Sequence, residues 1–334
     1  MEQKQLKDIP LSVLDLAIIN QGHTASDTFK NSLDLAQHVE NWGYQRYWLA
    51  EHHNMENVGS SATAVLIGHI AGGTSSIRVG SGGIMLPNHA PLVVAEQFGT
   101  LASLFPNRID LGLGRAPGTD QLTAMALRRD RLGAGNDFYK NIAELRTYLD
   151  ADNRTGAVRA IPGEGLDIPI WILGSSTDSA YLAAALGLPY SFASHFAPTY
   201  LHAAIKLYRD NFRPSPQLQK PYVMPAVNVI AADTDKEAER IASSFYRMAL
   251  GIITGKRQPL QPPIESMEGI WTEYEEAAVK NMMAYSFIGS PETVQAGLQD
   301  FLDDTQADEL MIVSHIYHHE DRLRSYETLN GLRK

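Results

Sequence analysis

From Leu11 onward, short runs of Val, Ile and Leu alternate with longer segments in which apolar residues recur every three or four positions. Runs of the first kind predict buried strands, and segments of the second kind predict helices packed on them, which together give a rhythm of parallel βα units. LSVLDLAI (Leu11 to Ile18) predicts the first strand, and the helix after it sets Phe29, Leu33, Ala36 and Val39 on one face before Gly43 stops it. The second strand is expected from Arg46 to Ala50, followed by the small-residue helix SATAVLIGHIAGGT, and the third from Ile77 to Leu86. Pro91 suits the first turn of the helix carrying Val94, Phe98 and Leu101. Arg108 to Gly114 predicts a fourth strand, from which a long connection leads to a helix around Phe138 to Leu149. Ile168 to Gly174, Tyr190 to Ser194, Tyr222 to Ala231 and Glu309 to Ser314 predict four more strands, with helices between them at Asp178 to Leu186, at Thr199 to Asn211, after the capping-box signature Thr234 to Glu237, and after Ser290-Pro291-Glu292.

Eight strands, each with a helical connection and no break in composition, predict one (β/α)8 barrel spanning 1–334 rather than a doubly wound sheet. Residues 251–285 break the rhythm. There Pro259, Pro262 and Pro263 interrupt any helix and TEYEEAAVK follows, so an insertion near the seventh strand is expected to act as a lid or mobile loop.

Composition narrows the partners. A formal charge of -10 without a Lys/Arg-dense run argues against nucleic acid and anionic membranes. The absence of cysteine excludes disulfides, thiolate nucleophiles and cysteine-ligated metals. The N-terminus lacks a signal-peptide pattern and no run is long enough to span a bilayer, so a cytoplasmic protein acting on a small molecule is expected.

Barrel chemistry belongs at the C-terminal ends of strands. The residues expected there are Asn20-Gln21-Gly22, Glu51-His52-His53, Gly82-Gly83, Gly114-Arg115, Gly174-Ser175-Ser176, His195 and His315. Carboxylates are too few among them for a metal site, and none is expected. Taken alone, EHH reads equally as a hydrogen-bonded strand end. Its company points further: Arg115 offers a guanidinium, and the start of the helix after Gly174 offers free N–H groups with the hydroxyls of Ser175, Ser176 and Ser179, a set suited to phosphate. The glycines of Gly80-Ser81-Gly82-Gly83 sit oddly in a strand and read either as a bulge or as backbone that something approaches closely.

EHH, VGSGGIMLPNHAP, NRIDLGLGRAPG and ILGSSTDSA stand in the order and spacing of the bacterial luciferase-like family of flavin-dependent monooxygenases, and the resemblance runs from Leu11 to about Leu329. It is closest to the small bacterial branch rather than to the luciferase subunits. The resemblance implies a barrel that uses reduced FMN and O2 to oxygenate an organic substrate. It implies catalysis by His52, a non-prolyl cis peptide at Gly82-Gly83 under the flavin ring, and phosphate binding by Arg115, Ser175, Ser176 and Ser179; Glu51 is then expected to orient His52 or His53, as a carboxylate fixes an imidazole tautomer. Luciferases carry a reactive cysteine where Gly114 stands and a glutamate at Ser175, so light emission does not follow from the likeness. Without a dinucleotide fingerprint after the first strand, reduced flavin is expected from a separate NAD(P)H:flavin reductase. The resemblance also implies a homodimer through the helices after the second and third strands. Two alternatives remain open at this point: a deazaflavin-dependent oxidoreductase, and a flavin-binding protein with little turnover. The substrate is not legible beyond a pocket built partly from Trp271, Tyr285, His195 and His315.

Overall fold

The computed structural model describes residues 3–127 and 138–333, so part of the long connection expected before Phe138 lies outside the described residues. Ten strands form one parallel sheet: β1 (Leu11–Asp15), β2 (Arg46–Leu49), β3 (Arg78–Ser81), β4 (Ile84–Met85), β5 (Ile109–Gly114), β6 (Ile170–Gly174), β7 (Tyr190–Phe192), β8 (Val223–Ala231), β9 (Ser286–Gly289) and β10 (Leu310–Val313). The order β10-β1-β2-β3-β5-β6-β7-β8 closes on itself where Met311 of β10 pairs with Ala226 of β8, which makes the expected eight-stranded (β/α)8 barrel.

The alternation along each strand sorts the side chains. Leu11, Val13, Tyr47 and Val79 face outward onto the helices, whereas Leu14, Trp48, Trp171, Met224, Ala226 and Met311 fill the barrel interior. The helix Ala25–Asn41 covers β1 with Leu35, Ala36 and Val39 buried, and Gly43 at φ 79° ends it. Pro91 sits at the start of the helix Pro91–Leu104 as expected.

The structure departs from the sequence expectation at four places. The third strand is two strands, because the partner offset to β5 falls by one residue between Val79↔Ile109 and Ile84↔Leu113, a bulge whose extra residue lies at the cis bond Gly82-Gly83. A strand was not anticipated at β9, which lies outside the closed ring and pairs with the C-terminal half of the long β8, from Asn228↔Ser286 to Ala231↔Gly289. The insertion starts later than 251, because the helix Asp235–Ile253 continues through Gly251. Thr234 caps that helix, but Glu237 turns to Arg240 rather than completing a capping box; a complete box instead opens the helix Glu273–Met282 at Thr272 and Glu275. Between these helices, buried Leu260 ties the insertion to the loop after β1, donating to Ile19 O (3.0 Å) and accepting from Gln21 N (2.8 Å).

The N-terminal end of the barrel is sealed by charge. Arg46 donates to Asp110 (2.7 Å) and Glu309 (3.0 Å), Arg78 donates to Asp110 (2.6 Å), and Tyr222 and Ser12 donate to Glu309. Each of these residues immediately precedes its strand or stands at its first or second position, so strand closure alone brings them together. Among the described residues, no helix is long and apolar enough to cross a membrane.

Candidate active site

At the opposite end, β2 runs out at Leu49 and delivers Glu51, His52 and His53. Glu51 is buried at 1% exposure and its carboxylate accepts three hydrogen bonds, from His53 Nε2 (2.8 Å), His89 Nε2 (2.8 Å) and the backbone N of Met85 (3.0 Å). Burial alone would raise its pKa, but the donors of His53 and His89 outweigh that and hold it at about 2, so Glu51 is an anion throughout the working range. Because the carboxylate only accepts, both imidazoles carry their proton on Nε2. Ligand atoms of Glu51, His53 and His89 lie within 4.8 Å of one another, a grouping that could hold a metal ion, yet the hydrogen bonds already account for the arrangement.

His52 is held differently. Its Nδ1 donates to the carbonyl of Gly118 (3.3 Å), which leaves Nε2 as the proton-accepting atom. Burial lowers its pKa, partly offset by that bond, so the ring is a neutral base at pH 7. Of the two residues that Glu51 was expected to orient, it therefore holds His53. Gly118 is required where it stands: at φ 62° its backbone favours glycine, and a Cβ would fall 2.8 Å from Glu51 O. The loop after β5 is further laced to the loop after β2 by Asn54 Nδ2 to Asp120 (3.0 Å) and Thr119 Oγ1 to His53 O (2.9 Å).

Across the mouth stand His195, just past β7, and His315, just past β10, both buried. Burial, together with neighbouring His315 and His52, pushes the His195 pKa down to about 3; burial and Arg322 do the same to His315. Phe245 packs on the His315 ring at 5.1 Å.

The expected phosphate residues come from adjacent strands, since Gly112 of β5 pairs with Trp171 of β6. Arg115 is half-exposed and meets Asp178 Oδ2 at a long 3.5 Å. Ser175 follows β6, and Ser176 caps the helix Thr177–Leu186 by accepting from Ser179 N. Ser179 is buried and its hydroxyl is spent inward, donating to Ser176 O (2.7 Å) and paired with Tyr190 OH (3.0 Å), while its N–H is taken by Ser176 Oγ, which leaves the N–H groups of the residues before it for a ligand. The free N–H groups of the first turn, the Ser176 region and the exposed guanidinium fit a phosphate. Gly82 and Gly83 form the cis bond beside them, and a Cβ at Gly83 would come 2.8 Å from Gly112 O, so strand approach already demands glycine there.

Sequence reasoning had not singled out His89, Asn228 or Gly118. His89 lies within the quoted PNHAP stretch, and Asn228 is the polar break in the apolar run of β8, so a signal existed for both.

A parallel barrel that gathers imidazoles, close-packed glycine backbone and a helix start at its strand C-termini has the layout of an enzyme's active-site face. Comparison makes the family specific: residues 10–309 match the luciferase-like monooxygenase model, and the chain belongs to that family. A luciferase-like monooxygenase of Escherichia coli (strain K12) is 50% identical over 96% of both chains. The N-acetyl-S-alkylcysteine monooxygenase of Bacillus subtilis (strain 168) is 39% identical over 70% of each chain. The crystal structure of apo-MsnO8 superposes with a TM-score of 0.87 at 35% identity, covering 97% of this chain and 98% of that one. The same fold, at 16% and 12% identity, occurs in the oxygenating constituent of 3,6-diketocamphane monooxygenase in complex with FMN (TM-score 0.71) and in an F420-dependent secondary alcohol dehydrogenase (TM-score 0.70).

Proposed function

We propose that this chain is the oxygenase component of an FMN-dependent monooxygenase, taking reduced FMN from a separate NAD(P)H:flavin reductase and using O2 to oxygenate a small organic substrate. The observation that carries this reading is the pairing of Arg115 with the helix start after β6, on the same mouth as the neutral base His52. When bound, reduced FMN supplies the electrons and the atom at which O2 is activated. The chain's own work is then to hold, shield and manage protons.

Arg115 and the N–H groups from Ser176 onward hold the phosphate. His52, with its proton fixed on Nδ1, takes a proton at Nε2. Glu51 locks His53 and His89 so that the wall beside His52 does not rearrange. The insertion, tied down at Leu260, keeps water from the mouth. The name of the Bacillus relative makes S-alkyl thioethers of small N-acylated acids the first substrates to try.

Anaerobic titration with FMN and FMNH2, followed by admission of 18O2 with a thioether panel, tests the reading. Tighter binding of FMNH2 and one 18O atom in the product are expected. A protein that binds neither flavin form but binds a reduced deazaflavin and transfers hydride without consuming O2 is the alternative enzyme.

A further inference from the structure

The mouth holds two buried polar atoms with no hydrogen-bond partner, Nδ1 of His195 and Oδ1 of Asn228. They come from neighbouring strands, since β7 and β8 pair in register and His195 lies in the turn just past Phe192, the end of β7. Asn228 continues the inward row of Met224 and Ala226 on β8. Its amide is pinned, with Nδ2 donating to His195 O (2.7 Å) and Ser286 Oγ (3.0 Å), so only the oxygen is left over. The residues are 8% and 1% exposed. A buried polar atom left alone costs about 1–3 kcal/mol, so two on residues that already bond each other at the reactive end of a barrel call for an occupant that restores both bonds.

The surroundings define the occupant. The titratable neighbours that act on His195 are the imidazoles of His315 and His52, and burial keeps His195 and His315 uncharged. An ion placed there would lose its hydration without gaining a counter-charge. An uncharged group that donates to Asn228 Oδ1 and either accepts from or donates to His195 Nδ1, according to its tautomer, meets both orphans at once.

We propose that His195 and Asn228 are the specificity-determining pair of this site, holding an uncharged amide- or hydroxyl-type group of the organic substrate through His195 Nδ1 and Asn228 Oδ1. The inference rests on the flavin reading in that it assigns the rest of the mouth to FMN.

The test uses the whole chain loaded with FMN and isotopically labelled, titrated with N-methylacetamide and separately with its charged analogue acetate. The His195 imidazole nitrogens and the backbone amides of residues 193–197 are followed by NMR. N-methylacetamide is expected to bind about tenfold more tightly than acetate. His195→Asn, which keeps a nitrogen near the Nδ1 position, should retain the preference, and His195→Leu should lose it with FMN affinity unchanged. Equal response to both probes overturns the proposal. So does a response that disappears once FMN is bound, which would give the pair to the flavin's own imide edge. No response to either probe overturns it too, leaving an ordered water alone as the occupant. Failure of the flavin reading shows separately, as absence of FMN binding in the same samples.

Discussion

The two ends of this barrel are built from the same residue types to opposite purposes. At the N-terminal end, Arg46 and Arg78 meet Asp110 and Glu309, charge for charge, and Tyr222, Trp48 and Ser12 fill the remaining acceptor sites. At the C-terminal end, one anion, Glu51, is satisfied, while the polar atoms of His195 and Asn228 are left without partners. The closed end spends its charged groups on one another and leaves one indole N–H, that of Trp171 under Arg46, without a partner. An end that works keeps polar atoms for a ligand.

The sharpest way to break this contrast is to remove Asp110. Its side chain is fully buried between two guanidinium groups, so Asp110→Ala leaves Arg78 with backbone carbonyls alone and Arg46 with Glu309 alone. A loss of about 3–5 kcal/mol in urea unfolding is expected, with FMN affinity of the folded fraction unchanged. A loss below about 1 kcal/mol would place the network with exposed ion pairs and dissolve the comparison.

Glu51→Gln asks the matching question at the other end. A neutral amide oxygen holds two imidazole N–H groups more weakly, and its NH2 opposes the Met85 N–H. Flavin-dependent oxygen consumption should fall about a hundredfold, while stability falls less than in Asp110→Ala. Full turnover with a collapse in stability would make the top of the barrel structural like the bottom.

Much of this was legible. Each barrel strand was visible as an apolar run, because strands covered by helices on one side and packed inside on the other are hydrophobic on both faces. Arg115, Gly82-Gly83 and EHH were visible as motifs at strand ends. What was not legible depends on closure. Glu51 and His89 are 38 residues apart, and only the β2, β3 and β4 alignment brings them to 2.8 Å. Ser179 read as a phosphate ligand because a sequence shows hydroxyls but not rotamers; its hydroxyl turns to Tyr190. The four residues of β9 were lost against the proline-started helix that follows them.

pH separates the two ends further. His195 and His315 are neutral in the fold, with pKa values of about 3, below the unfolded value near 6.5. The unfolded chain therefore binds more protons over that window, and stability falls as pH drops below about 6.5. The expected slope is about 1.4 kcal/mol per pH unit for each histidine, continuing toward pH 3 and joined by carboxylates such as Glu51 below about 4.3. Urea unfolding from pH 8 to 4 measures it, and His195→Leu should remove one histidine's share above pH 4.5. An unchanged slope would mean that the mouth is hydrated enough to charge.

The smallest expected effect concerns Asp178, the carboxylate that meets Arg115 at the proposed phosphate cradle. It lies in the first turn of the helix Thr177–Leu186, where a negative charge is favourable, and it meets Arg115 at 3.5 Å with both side chains largely in water. A phosphate wants the same guanidinium and the same helix start, so the carboxylate competes with it and repels it. Exposed pairs are worth no more than about 1 kcal/mol, so Asp178→Asn should tighten FMN binding by at most about fivefold, read by quenching of flavin fluorescence. The gain should shrink between low and high salt, because the screening length falls to about 8 Å at physiological ionic strength. Weaker binding in the variant would show that Asp178 holds Arg115 in place for the phosphate rather than contesting it. The C-terminal end would then share with the N-terminal end the use of a carboxylate to fix an arginine, and the difference between them would lie in the unpartnered atoms alone.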